Sequence, residues 1–162
     1  MWSTAFTVLG TLGGVILGGS LQHWAERRTR AERHRKEVAQ SVGLLLRAIL
    51  AVREAFWWRV ARARQGEAPT REEEAAAYRL HSAMTTARDD LALLVDHPSL
   101  VAAAEDAAWQ ATLLTRIDLG PVTDERFASE IERALSTGRD KTRDAHTRLR
   151  RTGTAYAHNR TR

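Results

Sequence analysis

A chain of 162 residues with net charge +5 and no cysteine excludes a disulfide-stapled scaffold and any thiolate metal site. Abundant alanine, only three prolines and the lack of β-branched runs speak against a sheet and for an all-α domain. Arginine outnumbers lysine 23 to 2, a usage typical of GC-rich bacteria.

Charge is segregated along the chain. Residues 67–132 hold 14 acidic and 5 basic side chains, whereas residues 133–162 hold 9 basic and 2 acidic ones. Opposite signs within one bundle imply that much of the basic charge faces acidic helices of the same molecule, which disfavours nucleic acid as a partner.

The first 22 residues carry no charged side chain, and a dense arginine run follows. As a helix that stretch spans about 33 Å, close to a hydrocarbon core of about 30 Å. Trp2 and Trp24 bracket it as interfacial anchors. Residues 1–24 therefore read as a transmembrane anchor. Gly10, Gly14 and Gly18 repeat every fourth position and form a helix-association stripe on which a second helix backbone can approach closely.

Arg27, Arg28, Arg30, Arg33, Arg35 and Lys36 crowd one end, so the expected orientation is N-terminus outside and C-terminal domain cytoplasmic at the inner membrane. Residues 25–37 form a basic juxtamembrane stalk whose cations meet anionic lipid headgroups. The rival is a cleaved signal peptide with Gly18 and Ser20 at its small-x-small site. The missing basic n-region and the arginines downstream oppose it.

From residue 22 to 65 no proline interrupts, so the anchor continues as one long rod. Val38, Val42, Leu45, Ile49, Val52 and Phe56 recur at alternating steps of four and three, a heptad seam that Leu46, Leu50 and Trp57 widen into a bundle face. Of the adjacent Trp57 and Trp58, one is expected in the core and the other partly exposed. Gly66 and Pro69 break the rod, and Thr70 with Glu73 fits a capping box.

The second helix spans about residues 71–95 with Leu80, Met84, Ala87, Leu91 and Leu94 inward, and Asp96-His97-Pro98 stops it. The third spans about 99–117, and its many alanines imply close helix approach. For the fourth, Thr123 caps and Asp124 and Glu125 fill the first turn. That helix either runs to about residue 151 through Thr142, Ala145 and Leu149 or breaks at Gly138, a residue that costs about 1 kcal/mol inside a helix. The expected architecture is an antiparallel up-down bundle over residues 38–152, four helices counting the rod. A disordered basic tail, residues 153–162, follows it, and Arg148, Arg150, Arg151, Arg160 and Arg162 form a second lipid contact.

No catalytic, cofactor or metal residue is assigned. His23, His34, His81, His97, His146 and His158 are scattered, and no Glu-x-x-His pair, phosphate loop or nucleophile elbow occurs. Asp140, Asp144 and His146 share no helix face well and read as solvated surface, and Asp96 and His97 as a helix stop. The expected function is a single-pass anchored bundle, not an enzyme. It acts through an unknown cytoplasmic protein partner as adaptor or scaffold, with a homo-oligomer possible through the anchor. The alternative is a glycine-zipper pore or permeabilising effector gated by the bundle.

Overall fold

The computed structural model describes residues 2–123 and 126–158, with side chains from residue 28 onward. Four helices and one short ribbon make up these residues. They are α1 (Trp2–Arg64), α2 (Arg71–Leu94), α3 (Pro98–Thr115), β1 (Val122–Thr123), β2 (Arg126–Phe127) and α4 (Ser129–His158). The fold is all-α. The chain divides into two compact units, Met1–Glu37 and Val38–Arg162.

In the first unit, residues 28–37 are helical and polar all round. Arg28, Arg30, Arg33 and Lys36 are exposed and Arg35 is half-buried. Arg28 pairs with Glu32 one turn on (3.4 Å), and Arg35 donates to the Ala31 carbonyl. No helix of the described residues is long and apolar enough to cross a membrane. The side chains of Trp2, Gly10, Gly14, Gly18, Trp24 and Arg27, which carry the anchor reading, lie outside those described.

The second unit is the bundle. Val38, Val42, Leu45, Ile49, Val52, Phe56 and Val60 of α1 are all buried, so the heptad seam faces the core as its spacing predicts. α2 starts at the capping box, in which the Glu73 amide donates to Thr70 and the Thr70 amide donates to the Glu73 carboxylate. It buries Met84 and Leu91. α3 begins with Pro98 in its first turn and buries Leu100, Ala103, Ala104, Ala107, Ala108, Ala111 and Leu114.

The helices alternate in direction. Arg62 near the end of α1 pairs with Glu73 at the start of α2, His81 of α2 bonds Thr115 at the end of α3, and Leu114 of α3 lies against Gly138 early in α4. Among the described elements, α3 and α4 share the most extensive backbone contact. Alanine and glycine at the contact allow it. A Cβ on Gly138 would lie 2.8 Å from Leu114 Cδ1.

The fourth segment differs from the expectation at its two ends. Val122–Thr123 and Arg126–Phe127 pair as an antiparallel ribbon, with Val122 opposite Phe127, and helix begins only at Ser129. Phe127 explains the ribbon, because it buries itself beside Phe56, Val60, Leu114 and Leu135 and so closes the second core cluster. Asp124 and Glu125 lie outside the described residues.

Of the two expected courses α4 takes the unbroken one through Gly138, and it then runs past residue 151. Residues 153–158 are helical, Gly153 is buried against Val42, and Tyr156 packs on the main core and stands edge-on to His97 with ring centroids 5.5 Å apart. The contact each glycine permits offsets its low helix propensity. Arg160 and Arg162 lie outside the described residues.

Candidate interaction surfaces of the bundle

Two surface features stand out. The first is a groove of about 890 Å³ where the end of α1, the start of α2 and the segment after α3 meet. Its floor is apolar, with Ala55, Ala63, Ala77, Leu80, Ile117 and Leu119, and Trp58 stands on its rim, 66 % exposed. Trp57 is half-buried and edge-on to Phe56, so the adjacent pair divides between core and rim as the 100° step of a helix requires.

Polar groups fix the groove walls. Arg62 holds both Glu67 (2.6 Å) and Glu73. The Thr70 amide, followed by the Arg62 guanidinium, keeps the Glu73 carboxyl below its usual range, and Glu67 and Glu73 raise Arg62 in turn. Arg59 donates to the Thr115 carbonyl (3.1 Å) and lies over the Phe56 ring. His81 is hydrogen-bonded to the Ala77 carbonyl and the Thr115 hydroxyl, both at 3.0 Å.

The second feature lies along the join of α1 and α4. Arg139, Arg143, His146 and Arg150 follow one flank of α4 at steps of four, three and four, and Arg53 of α1 faces them. Burial, then Arg143 and Arg139, lower the pKa of Arg53, and Glu54 opposes them. Burial, then Arg53 and Arg150, lower that of His146. Arg53 Nε and His146 Nε2 are buried without a hydrogen-bond partner. Arg139 lies 4.5 Å above the Trp57 ring.

These facts give a pH prediction. A histidine whose folded pKa is depressed binds its proton more readily when unfolded, so its contribution to stability is present above about pH 6.5 and lost as pH falls through the folded value. Arg53 on α1 and Arg150 on α4 are the charged groups acting on it. Thermal unfolding followed from pH 7.5 to 5 is expected to show a fall in midpoint that His146→Gln diminishes. An identical pH profile in the variant refutes this.

Among the described residues no cluster of three His, Asp or Glu is placed to hold a metal. Asp140 instead pairs with Arg143 at 3.0 Å. Arg148, read from sequence as a lipid contact, reaches Asp106 of α3 at 2.7 Å. Neither the groove nor the α1–α4 cluster is visible in one-dimensional spacing, since each assembles residues from different helices.

Taken together, the described residues define an all-α bundle with an apolar groove on one side and a cationic seam on another. Residues 39–157 match the family model described as KilB plasmid transfer protein. The chain belongs to this family. It is similar to Protein KilB of Streptomyces lividans, 41 % identical over 59 residues, which are 36 % of this chain and 40 % of that protein. The matched stretch thus spans well under two thirds of the relative's length. No solved structure matches.

Proposed function

We propose that this chain is a single-pass membrane protein of plasmid transfer whose bundle works at the inner face of the membrane through protein contacts, as an adaptor or scaffold rather than an enzyme. One observation carries the reading. The family match begins at residue 39, beside the start of the bundle unit at Val38, and leaves the uncharged first 22 residues and the arginine run outside it. A bundle that carries the family's shared part, preceded by a stretch of bilayer length with positive residues on one flank, has the layout of a tethered module. Trp58, large and exposed, is suited to anchor a protein partner.

The second reading, a pore built by the Gly10, Gly14, Gly18 stripe, draws support from the unbroken helical backbone through those glycines. One experiment addresses both. In a host with a transmissible plasmid, the full chain is expected in the membrane fraction, and a chain lacking residues 2–24 in the soluble fraction with transfer reduced to the level of a gene deletion. A full-length chain free of membrane overturns the proposal. Gly14→Leu with Gly18→Leu abolishes cross-linked oligomers and dye leakage if a pore forms, and leaves transfer intact if the helix is only a tether.

A further inference from the structure

We propose that the cationic seam between α1 and α4 holds the phosphodiester backbone of a nucleic-acid strand. The site consists of Arg53, Arg139, Arg143, His146 and Arg150. From Arg139 to Arg150 the stripe advances eleven residues, about 16 Å along the helix axis. That length is enough to follow several successive phosphates of one strand.

The charge balance points to an anion. Glu54 is the one acid acting on Arg53, against Arg143 and Arg139. Asp140 and Asp144 contact Arg143 at 3.0 and 4.0 Å, but no ion pair is formed by Arg53, Arg139 or Arg150 among the described residues. Half-buried Arg53 sits beside the exposed Arg139 and Arg143, a like-charge arrangement that costs stability, and two nitrogens in the cluster, Arg53 Nε and His146 Nε2, lack hydrogen-bond partners. A phosphate entering the seam relieves the repulsion and, with a small side-chain adjustment, supplies an acceptor for Arg53 Nε. Trp57 beneath Arg139 adds an aromatic floor that the basic segments lack in sequence.

The shape favours a strand over a membrane surface. Asp140 and Asp144 on α4 and Glu54 on α1 are exposed beside the stripe. A plane of anionic headgroups laid on this side meets those acids as well as the arginines, whereas a strand one phosphate wide follows the cations alone. The proposal extends the protein-contact reading and does not depend on the anchor.

The test uses the full chain in nanodiscs of neutral phosphatidylcholine and a fluorescein-labelled mixed-sequence oligonucleotide of about 20 nucleotides, single-stranded and duplex, read by anisotropy across salt concentration. Arg139→Gln, Arg143→Gln and Arg150→Gln together are expected to weaken binding at least tenfold and to reduce the log–log salt slope by about 2, from about 0.7 per single-strand phosphate. Arg133→Gln, Lys141→Gln and Arg151→Gln, the same charge change elsewhere on α4, are expected to shift affinity less than twofold. Lysine at the three seam positions is expected to retain most binding, because a phosphate needs the charge more than the planar fork.

Three results overturn the proposal: no binding by the native chain, equal losses in seam and control variants, or a seam variant that loses phosphatidylglycerol vesicles while keeping DNA. Circular dichroism checks folding of each variant. Should the triple variant not fold, the single exposed substitutions Arg139→Gln and Arg150→Gln replace it, each expected to weaken binding at least twofold, and unchanged binding in both overturns the proposal.

Discussion

Leucine at Gly153 is expected to destabilise the bundle by about 2–3 kcal/mol, read as a lower urea midpoint at unchanged slope. A Cβ at this position alone meets Val42 Cγ1 at 2.8 Å, Cγ2 at 3.3 Å and Cβ at 3.5 Å. Val42 cannot swing aside, since a β-branched side chain in a helix has one strongly preferred rotamer. The gain of about 1 kcal/mol in helix propensity offsets only part of the cost. Gly138 offers a contrast, because its added Cβ meets the far end of a flexible side chain, Leu114 Cδ1, which can yield. Gly43 is the control. Nothing lies within 4 Å of its added Cβ, and Gly43→Ala is expected to stabilise by up to about 1 kcal/mol. A neutral or stabilising Gly153→Leu contradicts the packing described.

Leu45→Ala is expected to cost more, about 2–5 kcal/mol, the range for emptying a leucine site in a packed interior. Leu45 has no exposed surface, lies in the middle of the α1 seam and belongs to the main core cluster. Leu44, its neighbour in sequence, is 55 % exposed, and alanine there is expected to change stability by no more than about 0.5 kcal/mol. Chemical denaturation of the two variants side by side checks the register of the whole helix. Equal effects rule out the assigned face.

This pair also shows why α1 was readable from its residues. Large aliphatic side chains at steps of four and three state their own face, and Val38 to Phe56 are all inward. The boundaries at Thr70 and Pro98 were readable for a related reason, because capping chemistry and the restriction before proline act within a few residues. α4 carries a weaker signal. Its inward line through Thr142, Ala145 and Leu149 is legible at steps of three and four and is buried, but apart from Leu135 and Leu149 it is made of small or polar residues, and Gly153 is buried only because another helix approaches closely.

Thr142 reaches the interior only because its hydroxyl donates back to the Gly138 carbonyl at 2.8 Å. The ribbon is not legible in the sequence, since Thr123-Asp124-Glu125 has the composition of a helix start, and it is Phe127, needed in a distant core cluster, that decides otherwise. The cationic seam joins residue 53 to residues 139–150. Charge segregation along the chain implies neutralisation by acids of the same molecule, which holds for Arg148, Arg64 and Arg143 but leaves Arg53, Arg139 and Arg150 of the seam without an ion pair among the described residues.

The burial of Gly153 against Val42 places the entry and exit of the bundle segment at one pole, while the ribbon, the groove and Trp58 belong to the other. Tension applied between the two ends therefore opens α1 from α4 one contact at a time, like a zipper, instead of shearing all of them at once. Any pull transmitted through this module would first expose the Val42 end of the interior and reach the Phe127 end last.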